Sequence, residues 1–434
     1  MRSVKLLYGK DGLVVRVPSD ARILGGHPVP PVPDPHAAVR AALADPIGSA
    51  PLAELIRRRR PASVAITISD ITRPVPNRDF LPAILEALNA AGVDDSRIVI
   101  IIGTGMHRAS TAAERDLLVG RDISARAEVI DHDAHDPATL VRVADDPPVS
   151  ICRRFAGADF RIVTGYIEPH FMAGFSGGRK GVCPALVDLA TVQRFHGYDT
   201  LADERADNGV LAGNPCHEIA LAVARTVGVD FLFNVAITWD RKIAGIYCGD
   251  LEAAHAAGCA DVAEWTSAAI GPGAPGFDLV VTNGGGYPLD QTFYQTVKGM
   301  CTALPALGPN STLLQVSHCG EGLGSRAFAE LMARWGDDWR GFLEHIRANR
   351  GRTELDQWEL QMQARVLARV GQERLWFVSD GIAPDVQKHI GVTPLLGDGP
   401  AAERAQQAID RFLAGRPDAR VAIIPDGPYT MLRR

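Results

Sequence analysis

The sequence predicts an α/β protein of two domains, each built on a mainly parallel sheet. Three observations predict it. Short β-branched runs alternate with Ala/Leu/Arg-rich stretches through most of the chain, the pattern of strand–helix–strand units in a parallel sheet. At 434 residues the chain is longer than one core usually holds. GPGAPG (271–276) breaks the alternation with the two residue types that most oppose regular structure, after which it restarts. The expected domains are therefore 1–270 and 277–434.

The elements follow in order. MRSVKLLYGKDGLVV is strand-like and lacks the apolar run of a signal peptide, and PVPPVPDP (28–35) reads as an extended connector. SVAITIS (63–69), RIVIIIGTG (97–105), AEVIDH (127–132) and FRIVTGY (160–166) read as buried strands, because a parallel sheet covered on both faces needs near-continuous apolar runs. Between them lie helices over FLPAILEALNAAG (80–92) and STAAERDLLVG (110–120); in the second, Thr111 and Glu114 form a capping box. DLATVQRFHG (188–197) is a short helix stopped at Gly197. DFLFNVAIT (230–238) and KIAGIYCGD (242–250) are two more strands, followed by a helix over 251–269. The second half repeats the plan with FDLVVTNGGG (277–286), TFYQTVKGMCTALPAL (292–307), STLLQVSHC (311–319), RLWFVSDG (374–381), a helix at 401–414 and RVAIIPDG (420–427).

Composition narrows the function. A formal charge of −6 with acids and bases interspersed argues against nucleic acid or an anionic membrane as partner, while a small anionic substrate in a local basic pocket stays compatible. Seven scattered cysteines without a CxxC pair favour reduced thiols in a cytoplasmic protein, and no window approaches eighteen apolar residues.

Parallel sheets carry their functional residues in loops beyond the strands' carboxyl ends, where the chemical motifs of this chain fall. After SVAITIS come Asp70, Thr72 and Arg73; the arginine can clamp a carboxylate or phosphate through two parallel hydrogen bonds, or simply pair with Asp70 in a turn. RIVIIIGTG runs into His107, placed for a general base or for a bond to a loop carbonyl. GYIEPHFMAGFSGGRK (165–180) joins His170, a Gly-rich turn and the pair Arg179–Lys180. It departs from a Walker loop, since Arg179 precedes the lysine and Gly181 replaces the Mg²⁺-binding hydroxyl. NTP hydrolysis is disfavoured, although the amides of Gly177 and Gly178 can still cradle a phosphate; a mobile loop with solvated Arg179 and Lys180 is the plainer reading. His196 sits in a last helical turn, where the helix dipole favours an imidazolium; as a metal ligand it needs donors from elsewhere, a cofactor included. Tyr294, Gln295 and Lys298 share one helical face that can bind a carboxylate or be ordinary surface. DHDAH (131–135) offers metal-type ligands but reads most simply as a polar loop, Trp358 and Gln361 either line a cleft or pack, and Asn214 in GNPCHE caps a helix.

Taken together and in order, DITRP, GTGMHR, EPHFMAGFSGGRK, His196, GNPCHE and YQTVKGM, spanning residues 70–300, resemble the nickel-pincer lactate racemase family. The resemblance implies an active site in the inter-domain cleft and a nickel-pincer nucleotide (pyridinium-3-thioamide-5-thiocarboxylic acid mononucleotide) linked covalently to Lys180. It makes His196 the nickel ligand, the cofactor providing two sulfurs and a carbon, a planar donor set that suits nickel. It makes His107 and His170 paired catalytic bases in a racemase or epimerase of 2-hydroxy acids working by reversible hydride transfer. Arg73, Gln295 and Lys298 would hold the substrate, Tyr294 and Trp358 would wall the cleft, Asp70 would orient a histidine or join Thr72, Ser176, Gly177 and Gly178 at the cofactor. Cofactor-making enzymes are the implied partners. Cys183-Pro184-Ala185 departs from the family's Pro-Gly turn. Two other classes stay open on the residues alone: a non-catalytic nickel-cofactor or nucleotide-binding protein, and a phosphate-binding α/β enzyme of kinase type.

Overall fold

A computed structural model describes residues 1–434 except Trp239 and Pro272. The linker read at 271–276 includes Pro272, which lies outside the described residues. The principal strands in chain order are β1 (Arg2–Leu6), β2 (Leu13–Val17), β3 (Arg22–Ile23), β4 (Val64–Ser69), β5 (Ile98–Gly103), β6 (Glu128–Asp131), β7 (Phe160–Tyr166), β8 (Phe231–Ile237), β9 (Ile243–Gly249), β10 (Phe277–Asn283), β11 (Leu307–Val316), β12 (Leu375–Val378), β13 (Thr393–Pro394) and β14 (Val421–Ile423).

Two six-stranded sheets carry the fold. The first has the order β9-β8-β7-β4-β5-β6 and is parallel except for β9, which returns antiparallel on β8. The second, β13-β12-β11-β10-β14-β3, is parallel throughout. Their central strands are apolar and buried because helices cover both faces: β4 places Val64, Ile66 and Ile68 in one core and Ala65 in another. Helix starts follow their caps. Thr111 and Glu114 bond reciprocally, and Asn214 accepts from the amides of Cys216 and His217.

The chain's first strands lie on the second body, which a first domain of 1–270 does not anticipate. The β1–β2 hairpin buries Leu6, Leu13, Val15 and Val17 in the core that contains Leu279 and Leu314, and β3 pairs with β14. Helix Pro35–Ala44 then opens the first body, with Val39 and Leu43 in the core under β4 and β5.

In both sheets the order of strands reverses once. In the first this happens between β4 and β7, and in the second between β10 and β14. Such reversals open crevices at the strands' carboxyl ends, where α/β sheets bind ligands. Loops from both switch points line one chamber of about 820 Å³: Thr72 and Arg73 after β4, Glu168 and His170 after β7, Gly285 and Tyr287 after β10, and Asp426 and Tyr429 after β14.

Candidate active site

A smaller cavity of about 190 Å³ adjoins this chamber and shares Arg73, His170, Gln295 and Lys298 with it. Asp70, Thr72, Arg73, His107, His170, Ser176, Gly177, Lys180, His196, Tyr294, Gln295, Lys298 and Trp358 all border it. Residues more than two hundred positions apart therefore converge on one space. Gly178 does not border it.

The loop after β4 holds the first group. Asp70 Oδ1 accepts from the Thr72 amide at 3.2 Å and from its hydroxyl at 2.6 Å, and Oδ2 meets His107 Nδ1 at 2.7 Å. Burial pushes the Asp70 pKa up, but the bonds from His107 and Thr72 outweigh it and hold the carboxyl below its usual range. The carboxylate is thus ionised and accepts only, so the His107 proton resides on Nδ1.

The loop after β7 is braced from within. Ser176 Oγ donates to Tyr166 O and accepts from the Glu168 amide, both at 2.9 Å. Gly177 has φ of +72°, and a Cβ there would lie 2.6 Å from Asn234 Oδ1. The Gly178 amide, expected to cradle a phosphate, instead donates to Asn234 Oδ1 at 2.7 Å. Asn234 is the one polar side chain within β8, fully buried, which is the signal in FLFNVAI that could have shown where the loop is tied. Arg179 is not solvated either: it is 1% exposed, donates to Ala173 O at 2.6 Å, and lies 3.1 Å from His255 Nε2. Lys180 is held well below the usual lysine range, chiefly by burial and then by the charges of Arg73, Arg179 and Lys298. Burial thus disfavours the ammonium form and favours the free amine, which is the nucleophilic form. The Cys183 thiol is pushed up to about 12 by burial and stays a thiol.

His170 is 9% exposed, and its Nδ1 accepts from the amides of Met172 at 3.3 Å and Ala173 at 3.2 Å. Burial and the charges of Lys180, Lys298 and Arg73 hold its pKa well below the usual histidine range.

His196 caps helix Leu189–Phe195, which starts at Asp188. Its Nδ1 donates to Val192 O at 2.9 Å, and the ring stacks on Trp358 with centroids 4.5 Å apart. Burial pushes its pKa down to about 3, so the imidazolium that a helix C-terminus favours does not form. The ring is neutral with a free lone pair on Nε2, the tautomer of a metal-ligating histidine whose other nitrogen is engaged by a carbonyl. Among the described residues no three His, Cys, Asp or Glu side chains cluster as a metal site, so His196 belongs to no ligand set that the chain completes by itself. DHDAH is a structural loop: Asp131 pairs with Arg115, and His132 bonds Val187 O.

The second body supplies the far wall through helix Phe293–Thr302, capped by Thr292 and seated closely on β10, since a Cβ on Gly299 would lie 2.0 Å from Asn283 O. Tyr294 accepts from Trp358 Nε1 at 2.7 Å, fixing the ring that stacks on His196. Gln295 Oε1 is buried without a hydrogen-bond partner. Lys298 shares the cavity with Glu359, a residue the motif reading missed. Burial drives the Lys298 pKa down and that of Glu359 up, and Glu359 Oε1 has no hydrogen-bond partner. The signal was the helix Gln357–Val370 itself, where Gln357, Glu359, Gln361 and Gln363 alternate yet are all buried. Gln361 bonds Tyr198 O and packs.

The site thus gathers the basic side chains of Arg73 and Lys298, two histidines held by different partners, the buried amine of Lys180 and a ligand-ready imidazole. No helix among the described residues is long and apolar enough to cross a membrane.

Comparison with known proteins gives concordant matches. The lactate racemase N-terminal domain family matches residues 8–209, and the lactate racemase C-terminal domain family matches residues 274–431. The chain is 35% identical over 394 residues to a lactate racemase of Lactiplantibacillus plantarum, covering 90% of this chain and 89% of that one. It is 30% identical over 443 residues to a lactate racemase of Thermoanaerobacterium thermosaccharolyticum, covering all of both. The structure of the lactate racemase apoprotein from the latter organism superposes over the whole of both chains with a TM-score of 0.89 at 29% identity. A Thermotoga maritima protein of known structure shares the fold at a TM-score of 0.67 and 15% identity.

Proposed function

The chain belongs to the lactate racemase family, and we propose that it inverts the C2 centre of lactate or a related 2-hydroxy acid, using a nickel-pincer nucleotide tethered to Lys180. The observation that carries this reading is the convergence of His107, His170, Lys180 and His196 on one cavity with Arg73 and Lys298. The residues suit such a cofactor. Lys180 is a buried amine held well below the usual lysine range and able to form an acyl-type link, and His196 offers one imidazole lone pair. When bound, the cofactor supplies nickel and a pyridinium carbon that accepts and returns hydride.

The rest is the work of this chain. Arg73 and Lys298 neutralise the substrate carboxylate, Arg73 by a planar fork. Gln295, with its unpartnered buried carbonyl, and its amide nitrogen beside it, orients the bound acid. His107 takes the hydroxyl proton at Nε2, and the ionised Asp70 stabilises the imidazolium that results. His170 serves the oxygen of the mirror-image substrate. Tyr294 and Trp358 close the wall behind His196. Cofactor-making enzymes are the partners this chemistry requires, and reduced thiols fit a cytoplasmic protein, all seven being free and buried.

The test is co-expression with cofactor-making enzymes, then chiral chromatography of a panel of 2-hydroxy acids incubated as single enantiomers. Interconversion of at least one acid is expected. Lys180→Ala should abolish both the covalent mass increment and bound nickel; retention of the two together sinks the tether, and no interconversion of any acid by nickel-loaded protein sinks the activity.

A further inference from the structure

The two histidines across the site are supported by opposite kinds of partner. Asp70 Oδ2, an ionised carboxylate, faces His107 Nδ1 at 2.7 Å and can only accept, so Nδ1 carries the hydrogen and Nε2 the lone pair. The amides of Met172 and Ala173 face His170 Nδ1 at 3.3 and 3.2 Å and can only donate, so Nδ1 carries the lone pair and Nε2 the hydrogen. Surroundings reinforce the contrast. His107 is half-exposed beside a carboxylate. His170 is buried among Lys180, Lys298 and Arg73, with two amide dipoles aimed at the nitrogen a second proton would occupy.

We infer that the resting chain holds His107 and His170 in opposite tautomers, His107 as a base with a bare Nε2 and His170 as a neutral donor with Nε2–H. This deepens the proposed racemase reading and rests on it for its consequence. A 2-hydroxy acid whose hydroxyl faces His107 meets a ready acceptor: the proton leaves the hydroxyl oxygen for Nε2, and the imidazolium formed is balanced by Asp70. An oxygen that faces His170 meets a hydrogen-bond donor, which polarises a carbonyl as neutral histidines do in other enzymes. For His170 to take a hydroxyl proton, its ring must first release the Met172 and Ala173 amides and move its own proton to Nδ1. The site is therefore primed for one enantiomer and must be reset for the other.

The experiment reads the tautomers directly in the cofactor-free full chain. Protein labelled with ¹⁵N-histidine is studied near pH 7.5 by long-range proton–nitrogen correlation, with His107→Gln and His170→Gln assigning the two rings. The expected result is a bare Nε2 on His107 and a protonated Nε2 with a bare Nδ1 on His170. Asp70→Asn, which removes the carboxylate, should move the bare nitrogen of His107 from Nε2 to Nδ1 and leave His170 unchanged. A bare Nε2 on His170, an imidazolium there, or two rings alike overturns the inference whatever the enzyme turns over. Failure of racemisation with the tautomers as stated would instead remove the proposed activity and leave the assignment standing.

Discussion

Asp70→Asn tests the site most sharply, because the structure dictates how the new amide must sit. Asp70 accepts on both oxygens, from Thr72 through Oδ1 and from His107 through Oδ2. Asparagine offers one acceptor and one donor. The Thr72 amide is a fixed donor, so it takes the oxygen and turns the NH₂ group toward His107. His107 must then accept at Nδ1, and its proton moves to Nε2, the atom that has to receive the substrate proton. Two losses combine. Attraction between imidazolium and carboxylate is about 4 kcal/mol at 4 Å with an effective dielectric near 20, but with a His107 side chain 51% exposed it falls to roughly 1 kcal/mol, or about fivefold in rate. The wrong tautomer costs more: the same exchange behind a catalytic histidine in serine proteases lowers kcat by about 10⁴. A fall in kcat of about 10³–10⁴ is expected, measured as initial rates of enantiomer interconversion, with the thermal midpoint as a control for folding. A folded variant keeping more than about a tenth of wild-type kcat would refute the reasoning.

Further outcomes follow from the buried groups. His196 and His255 are pushed down to about 3 by burial, so the folded chain leaves them neutral while the unfolded chain protonates them below about 6.5. Their stability contribution is complete above that pH and is lost as pH falls toward 3; the thermal midpoint of the cofactor-free protein should drop steadily from pH 7 to 5, and a flat profile would contradict their assigned burial. Gly177→Ala combines a φ of +72° with a Cβ 2.6 Å from Asn234 Oδ1, and should destabilise by about 1–3 kcal/mol in urea titration; an unchanged midpoint would mean the loop is not tied to β8.

Much of this was legible in the sequence, for physical reasons. β4, β5 and β7 are near-continuous apolar runs, which a sheet covered on both faces accommodates, and their loops had to emerge at one edge. Spacing could not show which body the first strands join: β3 is two residues long and finds β14 nearly four hundred positions away, a pairing no local period encodes. Most candidate residues lay in loops after strands, where function concentrates, with Tyr294, Gln295, Lys298 and Trp358 on helices, and all but Gly178 border one cavity. Gly178 misled because a Gly-rich turn supplies amides without saying where they point, and here Asn234 of another strand claims one. Glu359 escaped because a glutamate on a helix is ordinarily solvated, and only packing shows that the first two turns of its helix, Gln357 to Ala364, are buried on every face.

The placement of β1–β3 on the second sheet has a mechanical result. The polypeptide passes between the two bodies twice, outward after Leu24 and back after Trp265, and the passages touch: the His27 amide donates to Trp265 O at 2.6 Å, while Gly26 is packed against Trp265 O so closely that a Cβ would sit 2.5 Å from it. Two crossings bonded side by side act as a rivet does. Together with the bonds of Gln361 to Tyr198 O and of Arg365 to Ala206 O, and with the core that both bodies share, they hold one body against the other. The chamber between the facing switch points thus keeps Lys298 and Gln295 in fixed register against Arg73 and His170.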